Sequence, residues 1–340
     1  MHDIEDTIFP EKIIAFTKEL VQNTFKNDEH FQKCIHQLRK KYKVSPSKPL
    51  IRKIYHILLA EFQIIPNQSF LQYSLKRKCR SSSGVSVITI LTSPTPTYHN
   101  KDGELVEQSF TCAENCAYCP NEPEVRLNLQ VVDINHSVKQ IKVYTNDDIQ
   151  HIRVLSYIIK NDEQLSVEKC SHFKDNYFII TFEDSIEHTF TFGEIIIGVK
   201  IKQPRSYLSG EPAVLRANRN KFNPVLQIYD RADALESCGH AVDKIEILVL
   251  GGTWDHYHTT YQWEFIRDIY SSINTLDDRK LSVTKLSLEE EIKLAETSKK
   301  RIIGLTIETR PDCVTLKQIK KYRKFNITRL QIGVQHIDNK

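Results

Sequence analysis

The chain has no apolar run approaching the ~18 residues that a membrane-crossing helix needs, so no membrane span is predicted in its 340 residues. Its first residues, Met1-His-Asp-Ile-Glu-Asp6, are acidic and carry no apolar core, which argues against a secretory signal. Cysteine is scarce: eight over this length are too few and too scattered for a disulfide scaffold. Net charge is small, at +4, so any argument for nucleic acid must rest on local patches. What remains, 40% apolar and 26% charged, is the composition of a soluble globular protein, long enough for one large domain or several smaller ones. These absences make a cytoplasmic location the expectation.

Three of the cysteines are not scattered. The stretch Cys112-Ala-Glu-Asn-Cys116-Ala-Tyr-Cys119-Pro120 sets thiols at C-x3-C-x2-C spacing, a few residues past a strand-like apolar run. Three clustered thiolates are one short of a closed tetrahedral site. On an iron–sulfur cluster the same three would leave one iron open to a substrate or cofactor. A structural zinc site missing its fourth ligand is the alternative. Cys170 and His172 form a lone Cys-x-His pair, which reads as incidental.

Residues 11–63 read as helical. One helix-period stripe is Ile13, Ile14, Phe16, Thr17, Leu20 and Val21; a stronger one is Leu50, Ile51, Ile54, Tyr55, Leu58, Leu59 and Phe62. From Lys33 to Lys53 the chain carries Arg39, Lys40, Lys41, Lys43, Lys48 and Arg52 with no acidic residue, and a second basic run follows at Lys76-Arg77-Lys78-Cys79-Arg80. Either these are solvated helix faces, or they contact phosphates. Gly84–Leu91 reads as a buried strand, followed by a loop that carries the cysteines. Residues 124–201 then change character, with β-like runs between polar turns and a helix expected near 147–160.

Beyond them the pattern becomes regular. Helices are expected from near Ala213 and over 225–238, and strands at 245–250, 302–307 and 329–335 alternate with helices over 261–273, from near Leu286, and over 315–324. Such alternation means βαβ units, a parallel sheet and right-handed crossovers. The expected class is α/β, with a helical basic region over 1–80, a parallel-sheet domain over 81–123 and 202–340, and a β-rich insertion over 124–201. Gly251-Gly252-Thr253 and Glu308-Thr-Arg310-Pro-Asp312 fall just past strand ends, where α/β folds place their chemistry. The chain stops at Lys340, directly after a strand, and about four parallel strands do not close a barrel. The expectation is a piece cut from something larger, or one that something else completes.

The cysteine triplet with Tyr118 resembles the motif of radical S-adenosylmethionine (radical SAM) enzymes. The longer context resembles the Elongator catalytic subunit family. The collinear blocks are Ser83–Val87, Tyr118–Pro123, Gln203–Tyr207 with Gly210–Pro212, Arg216-Ala217, Gly239–Glu246, Gly251–Thr253, Gly304–Asp312 and Thr328–Gln335. The resemblance implies a partial radical SAM (βα) barrel, and an acyltransferase-class enzyme that installs a carboxymethyl-type group at C5 of the wobble uridine of tRNA. It implies a 4Fe–4S cluster on Cys112, Cys116 and Cys119, with S-adenosylmethionine on the open iron. Gly251, Gly252 and Thr253 would lie at the methionine end of that cofactor, and Glu308, Arg310 and Gln335 would reach its ribose hydroxyls or carboxylate. Lys244 would contact acetyl-CoA. Arg39, Lys40, Lys41, Lys43, Lys76, Arg77, Lys78 and Arg80 would hold tRNA.

Structural alternatives stand beside these roles: an ordinary strand-to-loop turn for the glycines, a solvated strand-start lysine for Lys244, and an ion-pair network for Glu308 and Arg310. The chain departs from the family in having no further barrel strands, zinc-binding segment or acetyltransferase-like domain. It also splits the cysteine loop from Gln203-Pro-Arg-Ser-Tyr207 by the insertion, and it has the shorter first cysteine spacing. A partner chain carrying the missing strands and acetyltransferase domain, or Elongator-like subunits, would complete it. The second reading is a non-catalytic remnant that binds tRNA or a partner.

Overall fold

Four helices open the chain: α1 (Glu11–Val21), α2 (Asp28–Tyr42), α3 (Lys48–Ala60) and α4 (Gln68–Ser74). The computed structural model describes residues 10–76, 82–108, 110–114, 116–147, 155–161, 163–182, 186, 190–279 and 286–334. The side chains of Asn27 and Ser47 accept the N–H groups of His30 and Leu50, satisfying donors that the first turns of α2 and α3 leave without intrahelical partners. The apolar stripes meet in a core that includes Phe16, Leu20, Phe31, Ile35, Ile51, Tyr55 and Phe70. Phe62 does not join it, although its spacing fits the second stripe. Gln63 N–H reaches back to Leu58 C=O at 2.9 Å, which ends the helix in a left-handed turn at Phe62 (φ 55°) and leaves that ring 95% exposed.

Strand β1 (Ser86–Leu91) leads into a small hairpin, β2 (Thr97–His99) with β3 (Leu105–Glu107), inside the segment read from sequence as loop. Then come β4 (Val125–Asn135), β5 (Gln140–Tyr144), β6 (Tyr157–Lys160), β7 (Glu163–Lys174), β8 (Tyr177–Phe182) and β9 (Ile195–Lys200). They close antiparallel in the order β4-β5-β8-β7-β6-β9, around Leu129, Val131, Ile141, Val143, Ile158, Phe178 and Ile180. The closed barrel of this chain is therefore antiparallel and lies in the insertion; it is not the parallel barrel that the resemblance implies. The helix expected near 147–160 is likewise corrected: Tyr157–Lys160 is strand, with Ile158 turned into the barrel core. Residues 148–154 of that expectation lie outside the described residues.

The remaining elements are α5 (Pro212–Arg219), α6 (Pro224–Ser237), β10 (Lys244–Leu250), α7 (Thr259–Asn274), α8 (Leu288–Thr297), β11 (Arg301–Thr309), α9 (Leu316–Lys324) and β12 (Arg329–Ile332). The sheet runs β1-β10-β11-β12, parallel throughout. On one face Ile88, Ile90, Ile245, Ile247, Val249, Leu305 and Ile307 pack against Ile228, Ala232, Phe265, Ile266, Tyr322 and Phe325 from the helices and the turn after α9. β1 consequently alternates over Ser86–Ile90 instead of being buried throughout, and only at its end is the opposite face covered, where Leu91 packs against Val214 and Ala217 of α5. The other face carries Thr89, Glu246, Leu248, Thr306, Glu308 and Gln331, with Thr89, Leu248 and Thr306 in register and Glu246 and Arg329 paired at 2.7 Å. No helix among the described residues is long and apolar enough to cross a membrane.

Candidate functional site

At the C-terminal ends of β10, β11 and β12 lies a cavity of about 560 Å³. Its wall takes Cys112, Cys116, Tyr118 and Cys119 from one loop and Arg205-Ser206-Tyr207 from another. The strand ends add Gly251-Gly252-Thr253, Glu308-Thr309-Arg310 and Gln331-Ile332-Gly333.

The two glycines are set by the chain itself. A Cβ on Gly251 (φ 138°) would stand 1.8 Å from Thr92 Oγ1, and one on Gly252 would stand 2.0 Å from the Thr111 carbonyl oxygen. The end of β1 and the start of the cysteine loop thus lie directly on the turn after β10. A buried phenol ties the three together. Tyr257 Oη lies 2.7 Å from Thr92 Oγ1 and accepts Gly252 N–H at 3.0 Å, and burial pushes its pKa far above the usual tyrosine value. The loop is also held from its outer side. Gln108 donates to the carbonyls of Phe110 (2.7 Å) and His256 (3.0 Å) and accepts His258 N–H (2.9 Å). His256 Nδ1 accepts Ala113 N–H at 3.0 Å, with its Nε2 3.6 Å from Cys313 Sγ.

Each sulfur of the triplet meets a partner from a different segment. Cys112 Sγ is 3.2 Å from Thr253 Oγ1, Cys116 Sγ is 3.4 Å from Arg310 Nη1, and Cys119 Sγ accepts Ser206 Oγ–H at 2.9 Å. Arg310 is also fixed by Asp312 through two bonds of 2.9 and 2.8 Å, which raise the guanidinium pKa and hold the carboxyl below its ordinary value. Glu308 accepts the Tyr207 hydroxyl at 2.8 Å. Burial pushes the Glu308 carboxyl up against the opposing pull of that hydrogen bond, and it pushes Tyr207 up together with the Glu308 charge. Among the described residues no three His, Cys, Asp or Glu side chains converge as a site for one metal ion. The three sulfurs do line one cavity, each from its own position along the loop.

The insertion joins this site at its neck. Lys200, wholly buried, pairs with Glu122 at 2.7 Å, and Glu122 accepts Ser209 Oγ–H at 2.8 Å as well as Ser209 N–H. Burial pushes the Glu122 carboxyl up, but Lys200 and Ser209 together hold it below its ordinary value. Gln203 N–H donates to Glu122 C=O at 3.0 Å, so the segments leading out to the insertion and back from it are bonded just after Cys119.

Other expected residues are not brought to the cavity. Lys244 is exposed at the N-terminal start of β10, the opposite end of the strand. Gln335, Arg77, Lys78 and Arg80 lie outside the described residues. Lys40, Lys43 and Lys76 are exposed, whereas Lys41 pairs with Glu19 at 2.6 Å and Arg39 donates to Pro46 C=O at 3.3 Å. Within the same basic run Lys33 pairs with Glu29 at 2.7 Å, and Arg52 is buried, donating to Leu71 C=O (3.0 Å) and Ser74 Oγ (2.6 Å). The run is therefore not one uniform basic face. Sequence reasoning assigned nothing to Ser206 and Tyr207, although the block Gln203–Tyr207 pointed at them, and it had no signal for Tyr257 or His256.

No protein-family model matches the chain. Curated relatives match part of it. A tRNA uridine(34) acetyltransferase of Methanocaldococcus infernus is 40% identical over 136 residues, covering 40% of this chain and 24% of the relative. One of Dehalococcoides mccartyi is 38% identical over 136 residues, covering 40% and 28%. The Elongator complex protein 3 of Schizosaccharomyces pombe is 34% identical over 133 residues, covering 39% and 23%. A solved structure, the archaeal Methanocaldococcus infernus Elp3 with an N-terminal deletion, is 40% identical with a TM-score of 0.32, covering 35% of this chain and 26% of that one. The resemblance carried by the motifs thus extends to named relatives over about two-fifths of this chain, which spans about a quarter of their length.

Proposed function

We propose that this chain carries the radical SAM part of a tRNA-modifying activity directed at the wobble uridine, with Cys112, Cys116 and Cys119 as ligands of a 4Fe–4S cluster. The observation that carries the reading is the cavity at the strand ends, where the three sulfurs share one wall with Gly251-Gly252-Thr253, Glu308 and Arg310. When bound, the cluster and S-adenosylmethionine supply radical chemistry at carbon that no side chain can supply. The chain's own residues bind and orient. Arg310, fixed by Asp312, holds a permanent cation at 3.4 Å from Cys116 Sγ, suited to the sulfur's negative charge and to a carboxylate beside it. Glu308 is fixed on one oxygen by Tyr207, which leaves the other for ribose hydroxyls. Gly252 lets the cysteine loop lie down on the strand end, and Tyr257 locks it there. Exposed Lys40, Lys43 and Lys76 would contact tRNA phosphates by charge. Acetyl-CoA binding through Lys244 would need a surface at the other end of β10, supplied by a partner chain with an acetyltransferase domain or by Elongator-like subunits.

Anaerobic reconstitution with iron and sulfide, followed by an assay for 5′-deoxyadenosine, tests the reading. Cluster absorbance with cleavage of S-adenosylmethionine, both lost when Cys116 becomes Ala, is the expected result. A protein that binds no iron would overturn it. One that binds iron without cleaving the cofactor, yet binds tRNA, would favour the remnant reading.

A further inference from the structure

Ser206 stands out among the residues lining the cavity. It is the one residue there, glycine aside, with a left-handed backbone, at φ 78°. Tyr207 N–H closes a turn onto Pro204 C=O at 3.1 Å, which puts Ser206 at the third position of that turn. With positive φ this is where a type II turn takes glycine or asparagine, because a Cβ is disfavoured there. Were the position only a turn, glycine would serve it better. Serine adds a hydroxyl, and the hydroxyl is used: it donates to Cys119 Sγ at 2.9 Å, while Ser206 N–H donates to Pro120 C=O at 3.2 Å. Two contacts therefore fix this one turn onto the last cysteine and the residue after it. A non-glycine residue held in a left-handed backbone at a cavity wall points to a use for its side chain.

We infer that Ser206 is a positioning residue that sets the electronic character of the cluster through Cys119. The inference rests on the reading of the cysteine triplet as cluster ligands. A donor on a ligand sulfur stabilises the more negatively charged, reduced form more than the oxidised form, so it raises the reduction potential. Thr253 and Arg310 meet the other two sulfurs from strand ends. Ser206 differs from them because its contact depends on a backbone conformation that another residue would hold more easily.

Ser206→Gly separates the two roles, since glycine keeps the turn and loses only the hydroxyl. Wild type, Ser206→Gly and Ser206→Ala are compared as the reconstituted full chain, by thermal melting of the metal-free protein and by a redox titration of the cluster followed by electron paramagnetic resonance. Ser206→Gly is expected to melt at or above wild type while its cluster titrates at a more negative potential. Ser206→Ala should share the negative shift and melt no higher than Ser206→Gly. A Ser206→Gly cluster with the wild-type potential and spectrum overturns the inference, whatever its melting temperature. Wild type that takes up no cluster overturns the underlying reading instead, so the two failures are distinguishable.

Discussion

At Gly252 the space for a side chain is already taken by the Thr111 carbonyl, 2.0 Å from where a Cβ would stand. Gly252→Ala is expected to destabilise the fold by about 1–3 kcal/mol, because backbone and not a pliable side chain must give way. Chemical denaturation checks this, and an unchanged midpoint would refute it. Glu308 gives a pH prediction. Burial raises its folded pKa above the unfolded one, so the stability linked to its proton is full below the ordinary carboxylate range and is lost as pH rises through the raised value. Glu308→Gln should therefore melt above wild type at neutral pH, with the gap closing in acid below that range; a gap that persists there would contradict the burial argument. Strand-end residues such as Gly251, Gly252, Glu308 and Arg310 were legible because each follows an apolar run. Their partners were not, since Tyr207 and Glu308 are 101 positions apart and no local pattern joins them.

Elements were legible wherever one face is buried and the other wet, since the period then shows in the residues. The helices α1 and α3 and the strand β10 read correctly for that reason; β1 is a strand but is not buried on both faces as expected, and β12 ends at Ile332 where the strand is expected to run to 335. Alternation names a face but never a neighbour, so the strand order β4-β5-β8-β7-β6-β9 and its closure could not be read from the runs. Phe62 failed differently: its spacing continued a helix that the Gln63–Leu58 bond had already ended. The neck of the barrel yields a prediction of its own. Lys200→Met leaves the Glu122 carboxylate largely buried without its cation, which should cost about 3–5 kcal/mol. Adding Glu122→Gln should return a large part of that loss, and a double-mutant cycle in denaturant that finds the two changes additive would deny the coupling.

For the whole molecule, net charge misleads in both directions. A balance of +4 hides the basic run between Lys33 and Lys53, and the folded chain spends part of that run on Glu19, Glu29 and buried contacts. Lys33, Lys40, Lys41, Lys43 and Lys53 are exposed, and of these Lys33 and Lys41 hold a carboxylate. Replacing Lys40 and Lys43 with Glu should weaken tRNA binding and lower the salt dependence by about two units of slope, as read by fluorescence anisotropy across a salt series. An unchanged slope would remove the end of α2 from the tRNA-binding surface. The bond from Gln203 N–H to Glu122 C=O has a separate meaning. It brings the ends of the inserted segment together, so the host meets that segment as if it were a short hairpin. The entropy of closing a chain grows only with the logarithm of its length, about 0.6 kcal/mol per doubling, and here the ends are held by the host's own contacts. The cysteine loop is thus insulated from how much chain is threaded between Pro123 and Gln203, and a segment of different length there could leave the spacing of the three sulfurs as it is.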